Sequence, residues 1–269
     1  MSPVPRVRLA SSTVLVTGAT GGLGRAIALA LADRGAQVIV SGRRESELAA
    51  LAATIDGRAV VADLAVRTEV DRLAAEAAEA DVVIANAALP ASGVLAQHSR
   101  GEIDRILEIN LRAPIILTQT LAPGMAQRGG GHFVFISSLA GKAASPSSSL
   151  YSATKFGLRG FGLAVRQDLA PDNVGVSVIN PGFIRDAGMF HEAAVTLPPG
   201  TGTRTPEDVA RAVLRAIDED RAELDVASAP LRVGAAFASL APGIAARAGR
   251  RMGADRVAGD VARGQIDKR

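Results

Sequence analysis

The chain is expected to fold as an α/β protein with a doubly wound parallel sheet and helices on both faces. Three observations lead there. Seven short strand-like runs alternate with helix-like runs almost to the end of the chain. A dense glycine cluster follows the first run. The residues with unusual chemistry fall just after strand ends, where ligands bind in doubly wound folds.

Val14–Val16 reads as the first strand and Gly22–Arg34 as the helix after it. Val38–Ser41 and Glu45–Thr54 repeat the pattern, as do Arg58–Ala62 and the Ala/Glu-rich run Arg67–Glu79. Val82–Ala85 is a fourth strand, followed by one long helix from about Arg100 to Ala126. His132–Ser137 and Val174–Ile179 are strands on either side of a helix at Tyr151–Leu169. The helix Pro206–Asp218 starts with proline, where the missing N–H costs nothing. Glu223–Val226 is the last strand. Short apolar strands separated by helices imply βαβ units, and strands buried on both faces imply a parallel sheet. Right-handed crossovers then wind it in both directions.

At 269 residues and 27.5 kDa the chain can bury a core without staples. Residues 1–230 read as one domain, and 231–269 as a basic, partly amphipathic extension. The absence of cysteine excludes disulfides and thiolate nucleophiles. Three scattered histidines, His98, His132 and His191, make no metal site, so no metal is expected. No apolar run approaches the roughly 20 residues of a membrane-spanning helix. The N-terminus has no signal-peptide core, and the cytoplasm is the expected location. Net charge is +3, with eight basic and three acidic residues from Arg232 onward. Aromatics make up only 3%, which argues against a nucleic-acid partner.

Gly18-Ala19-Thr20-Gly21-Gly22-Leu23-Gly24 lies between the first strand and its helix. Glycines there bring backbone against a pyrophosphate, and the helix N-terminus offers free N–H groups to that anion. Gly18, Thr20, Gly22, Leu23 and Gly24 are therefore candidate cofactor contacts. A plain tight turn is the bland alternative. The second strand ends Ser41-Gly42-Arg43-Arg44, with no acidic residue for a ribose 2′-hydroxyl. Arg43 suits a 2′-phosphate, which favours NADP(H) and leaves NAD(H) open. Two solvated arginines are the alternative there. Asp63-Leu64 could meet the adenine, or simply form a turn. Asn86-Ala87-Ala88 ends the fourth strand with small residues.

The only tyrosine, Tyr151, lies four residues before Lys155, one of three lysines. On a helix the two share a face. A lysine ammonium beside a phenol is expected to pull its pKa down from about 10. Such a phenol exchanges a proton with a carbonyl or alcohol oxygen. Ser138, just after the fifth strand, can hold that oxygen. Asn110, a mediocre helix former inside a long helix, could bend it and order a water toward Lys155.

With these motifs together the sequence resembles the short-chain dehydrogenase/reductase family, from about Ser12 to Val226. The matching residues are Thr17-Gly18-x-x-x-Gly22-x-Gly24, Asn86-Ala87-Ala88, Asn110, Ser138, Tyr151-x-x-x-Lys155 and Asn180-Pro181-Gly182. The resemblance implies a Rossmann-like, seven-stranded parallel sheet, a nicotinamide cofactor and reversible carbonyl reduction. It makes Tyr151 the general acid/base and Ser138 the group orienting the substrate oxygen. Lys155 would hold the nicotinamide ribose, and Asn110 a proton-relay water. Pro181, Gly182 and Ile184 would lie against the nicotinamide. Pairing through the helices of Asn110 and Tyr151 would give a homodimer or homotetramer. Two positions depart from the pattern: Asp186 stands where the family often has Thr, and Ala88 where it has Gly.

On that layout Arg185–Thr205 is a substrate lid with Phe183, Met189, Phe190 and Leu197 as its apolar members. Leu139, Ala143, Ala144 and Leu150 would line the other wall. The expected partner is a small apolar ketone, aldehyde or alcohol. Val233, Phe237, Leu240 and Ile244 form one helical stripe, interrupted at Pro242-Gly243 and followed by Arg247, Arg250 and Arg251. A helix closing over the lid or a partner subunit explains this stripe. The alternative is peripheral contact with anionic lipid. A silent cofactor-binding sensor on the same fold is a further alternative function.

Overall fold

The computed structural model describes residues 7–186, 201–251, 258–259 and 263–264. Its centre is a seven-stranded, all-parallel sheet of order β3-β2-β1-β4-β5-β6-β7. The strands are β1 (Thr13–Thr17), β2 (Gln37–Gly42), β3 (Arg58–Val61) and β4 (Val82–Ala85). β5 (Gly131–Ile136), β6 (Val174–Pro181) and β7 (Glu223–Val226) complete it. The β-branched runs of β1, β4 and β6 sit mid-sheet, where both faces are covered.

Two apolar layers enclose the sheet. On one face α3 (Arg67–Glu76), α5 (Ala113–Gln127) and α6 (Ser149–Leu169) cover Leu15, Val83, Phe133, Phe135 and Val178. On the other, α1 (Gly22–Asp33), α2 (Glu45–Thr54) and α7 (Pro206–Asp218) cover Val14, Val16, Ile84 and Val134. Winding reverses between β1 and β4, so a crevice opens at their carboxyl ends.

The single helix expected from Arg100 to Ala126 is three segments. α4 (Arg100–Leu107) begins at a Ser99/Glu102 capping box. A π-helical stretch, Glu108–Arg112, follows and carries Asn110. α5 then begins at Ala113 with Pro114 in its first turn. Pro114 has no N–H to give to an earlier carbonyl, which accommodates the change of register. The Ala/Glu run stops being helical after Glu76 rather than Glu79.

The C-terminal stripe forms two helices, α8 (Ala229–Leu240) and α9 (Pro242–Arg251), which part at Ala241, with Pro242 opening the second. Most of the expected lid, residues 187–200 with Met189, Phe190, His191 and Leu197, lies outside the described residues. So does most of the expected polar terminus, 254–269.

Candidate active site

The glycine turn is built from both sides. Thr17, the last residue of β1, donates its Oγ1 hydrogen to the Ile84 carbonyl (3.3 Å). The same oxygen accepts from the Asn86 and Ala87 N–H groups at 3.1 and 3.2 Å. Asn86 Nδ2 donates back to the carbonyls of Thr17 (3.0 Å) and Gly18 (3.1 Å). The ends of β1 and β4 are thereby laced together. Gly18 has φ +63°, and a Cβ on it would lie 2.7 Å from Ala87 Cα. A Cβ on Gly24 would collide with the Gly18 carbonyl, so glycine there lets α1 rest on the turn. The N-cap of α1 is Gly21, with no side-chain hydrogen bond to its first-turn N–H groups.

The two arginines after β2 divide their work. Arg44 holds the turn, donating from Nη2 to the Thr20 carbonyl (2.7 Å) and from Nε to Thr20 Oγ1 (3.2 Å). Arg43 is more than half exposed and 4.0 Å from Asp63 Oδ2. Asp63 already has donors: Ala65 N–H to Oδ1 (3.0 Å) and Arg105 Nη2 to Oδ2 (2.9 Å). Burial alone would raise the Asp63 pKa, but the Ala65 N–H and the Arg105 and Arg43 cations hold it below the usual value. Leu64 beside it is buried.

Ser138 follows β5 and caps a short 3₁₀ turn, Leu139–Gly141. Its Oγ accepts from Ala140 N–H (3.1 Å) and donates to the Pro181 carbonyl (3.4 Å). Tyr151 is in the first turn of α6, where the Ser138 hydroxyl acts on its phenol. Lys155, one turn on, is buried with its Nζ 5.7 Å from the Tyr151 ring centroid. That ammonium donates to the Ile136 carbonyl at 2.9 Å. The structure thus brings Ser138, Tyr151 and Lys155 to the carboxyl end of β5.

The electrostatic balance at Tyr151 differs from the expected lowering. Burial pushes its phenol up to about 12, with the Ser138 hydrogen bond pulling weakly against it. Burial also lowers Lys155 to about 8. Desolvation of the phenol is the larger effect in the protein alone.

Asn110 is tied to backbone. Its Oδ1 accepts from Leu89 N–H (2.7 Å), and its Nδ2 donates to the Leu89 carbonyl (3.0 Å). A longer contact, 3.4 Å, reaches Thr154 Oγ1 on α6. Past β6, Gly182 packs so closely on Ala227 that a Cβ would lie 2.9 Å from that methyl. Ile184 is buried and bridges to Arg204. Asp186 is exposed, in the left-handed region at φ +69°, beside Arg185.

Several residues here were not singled out from sequence: Thr17 as a lace, Arg44, Arg105 and Thr154. Thr17 had a readable signal, a hydroxyl at the strand end before glycine. Arg105 had none, since it meets Asp63 only through the tertiary fold. Among the described residues no cluster of three or more potential metal ligands occurs.

Comparison with known proteins agrees with this architecture. The family model described as short chain dehydrogenase matches residues 12–196. A ketoacyl reductase, HetN, from Nostoc sp. is 38% identical over 232 residues, covering 83% of this chain and 81% of that protein. A 3-oxoacyl-[acyl-carrier-protein] reductase, FabG, from Rickettsia typhi is 32% identical, covering 75% and 87%. A short-chain dehydrogenase from Sphingobium yanoikuyae, solved in complex with NADPH, superposes with a TM-score of 0.76. It is 26% identical, over 90% of this chain and 96% of that one. The chain therefore belongs to the short-chain dehydrogenase/reductase family. It is an NAD(P)-dependent oxidoreductase acting on a small carbonyl substrate. No helix among the described residues is long and apolar enough to cross a membrane.

Proposed function

We propose that this enzyme is an NADPH-dependent ketoreductase acting on an apolar ketone or β-ketoacyl group. The observation that carries the reading is the convergence of Ser138, Tyr151 and Lys155 at the end of β5. A relative is named a ketoacyl reductase, and another a 3-oxoacyl-[acyl-carrier-protein] reductase, which supports the substrate class.

The residues fit a nicotinamide dinucleotide. The turn from Gly18 to Gly24 is side-chain-poor, and the start of α1 keeps N–H groups without a side-chain cap. Gly18, Thr20, Gly22, Leu23 and Gly24 would hold the pyrophosphate side. Arg43 would face the 2′-phosphate, with Asp63 and Leu64 near the adenine and Asn86 behind the sugar. Pro181, Gly182, Ile184 and Lys155 would hold the nicotinamide end. When bound, the nicotinamide supplies the hydride.

The chain's own residues manage the oxygen. Ser138 Oγ holds the substrate carbonyl oxygen in place. Tyr151, whose phenol keeps its proton at neutral pH, gives that proton to the oxygen as negative charge develops. Lys155, cationic near neutrality, stabilises the phenolate left behind. Asn110 positions the loop at Leu89 and braces α6 through Thr154.

The test is consumption of NADPH and, separately, NADH with acetoacetyl thioesters and simple apolar ketones. Turnover with NADPH and a ketone is the expected result. Tight NADPH binding with no turnover on any carbonyl would instead identify a sensor.

A further inference from the structure

The C-terminal helices α8 and α9 present an apolar and basic surface that the reduction chemistry does not use. Leu240 is 86% exposed, Val233 70%, Ile244 59% and Phe237 47%. Val233, Phe237 and Leu240 are spaced by four and three and share one face of α8, and Ile244 is exposed in the first turn of α9. On α9 the stripe continues into arginine: Arg247 and Arg251 are three and seven residues past Ile244, on the same face. Arg232 and Arg250 are also exposed. From Ala229 to Arg251 there is no acidic residue at all. Exposed large apolar side chains in a row mark a contact surface rather than ordinary solvent-facing helix.

The surface is held at a fixed place. Ala235 is buried, and Ser239 Oγ donates to the Lys142 carbonyl at 2.9 Å. Lys142 directly follows the turn that Ser138 opens, and its Nζ is fixed by Asp225 (2.7 Å) and Glu223 (3.1 Å). One side of α8 is therefore anchored beside the candidate active site, and the other side is open.

We propose that α8 and α9 dock on the surface of an anionic lipid bilayer, with Val233, Phe237, Leu240 and Ile244 entering the interface. Arg232, Arg247, Arg250 and Arg251 meet the headgroups. Charge decides the occupant. A two-fold contact with a second copy would set this acid-free, arginine-bearing patch against itself. An anionic headgroup plane supplies the missing negative charge to every arginine at once, and its acyl boundary takes the apolar stripe.

The full chain is tested by co-sedimentation with vesicles of phosphatidylcholine containing about 30% phosphatidylglycerol, against phosphatidylcholine alone. Binding is expected to the anionic vesicles at low salt and to fall sharply near 0.5 M salt, roughly where screening confines charge effects to a few ångströms. Leu240→Asp with Ile244→Asp should lower binding at least about tenfold. Arg250→Ala with Arg251→Ala should lower it about fivefold for each charge removed. All four positions are exposed, so NADPH binding and far-UV circular dichroism should stay unchanged. No binding to anionic vesicles at low salt overturns the proposal. Equal binding to both vesicle types overturns it too. So does a double aspartate variant that stops binding no vesicle but dissociates an oligomer on size exclusion, which would assign the face to a second copy.

Discussion

Asn110 grips Leu89 at both of its backbone groups: Oδ1 takes its N–H at 2.7 Å, and Nδ2 gives to its carbonyl at 3.0 Å. This side chain, only 1% exposed, therefore replaces a missing strand partner for the loop after β4. Asn110→Leu keeps the branched shape and strips both bonds to Leu89, leaving two buried backbone groups unsatisfied. Urea unfolding should show a loss of about 3 kcal/mol. A loss below about 0.5 kcal/mol would mean that the loop is held by other contacts.

Gly18 sits at φ +63° with Ala87 Cα in the way of any Cβ. Gly18→Ala should cost about 2 kcal/mol or more, and it should part the ends of β1 and β4. Thermal unfolding and NADPH fluorescence titration check both effects. Unchanged affinity for NADPH would show that the turn does not support the cofactor.

Arg43 is more than half exposed and held only by a 4.0 Å approach to Asp63, while Arg44 hydrogen-bonds Thr20. Arg43→Glu should weaken NADPH about tenfold or more and leave NADH nearly unchanged, given the strength of a charge-assisted hydrogen bond. A parallel loss for both cofactors would move the 2′-phosphate contact elsewhere.

His132 lies buried at the far end of β5 with Nε2 2.8 Å from Ser177 Oγ. Burial lowers its pKa to about 4, with Asp220 pulling up and Arg166 pushing down. The unfolded chain binds this proton near pH 6.5, the folded one only near 4. Stability is therefore intact above about pH 6.5 and falls as pH drops toward 4, by about 3 kcal/mol over the interval. Urea midpoints at stepped pH should show that slope, and His132→Gln should flatten it. Equal slopes in both proteins would contradict the assignment.

Much of this was legible in advance, for identifiable reasons. The strand cores were readable because β-branched runs such as Val82–Ala85 are bounded by polar turns. Ser138, Tyr151 and Lys155 could be paired because one follows a strand and the others share a helix face. The π-helical step at Glu108–Arg112 was not readable, since a shift of hydrogen-bond register leaves no compositional mark. The break in the helix at Asn110 was legible from its poor helix propensity, whereas its side-chain bonds to Leu89 and Thr154 come only with the fold. Arg43 and Arg44 are neighbours of one type, and only the fold shows which one faces Thr20. The balance at Tyr151 was not legible, since spacing conveys proximity to Lys155 but not the depth of burial.

Lys155, at about 8, implies a pH profile. Its positive charge is fully present below about pH 7 and is lost as pH rises through 8. NADPH-dependent reduction should therefore be flat below 7 and decline above 8. A rate that holds level to well beyond that range would show that the lysine charge does not assist proton transfer.

Tyr151→Phe tests most directly whether Tyr151 gives the proton. Steady-state NADPH consumption and an NADPH fluorescence titration are measured on the same preparation, beside the unaltered protein. NADPH affinity should be nearly unchanged and turnover reduced by about a thousandfold, within the range for a lost general acid. Full turnover in Tyr151→Phe would contradict that role and return the site to an unassigned proton donor.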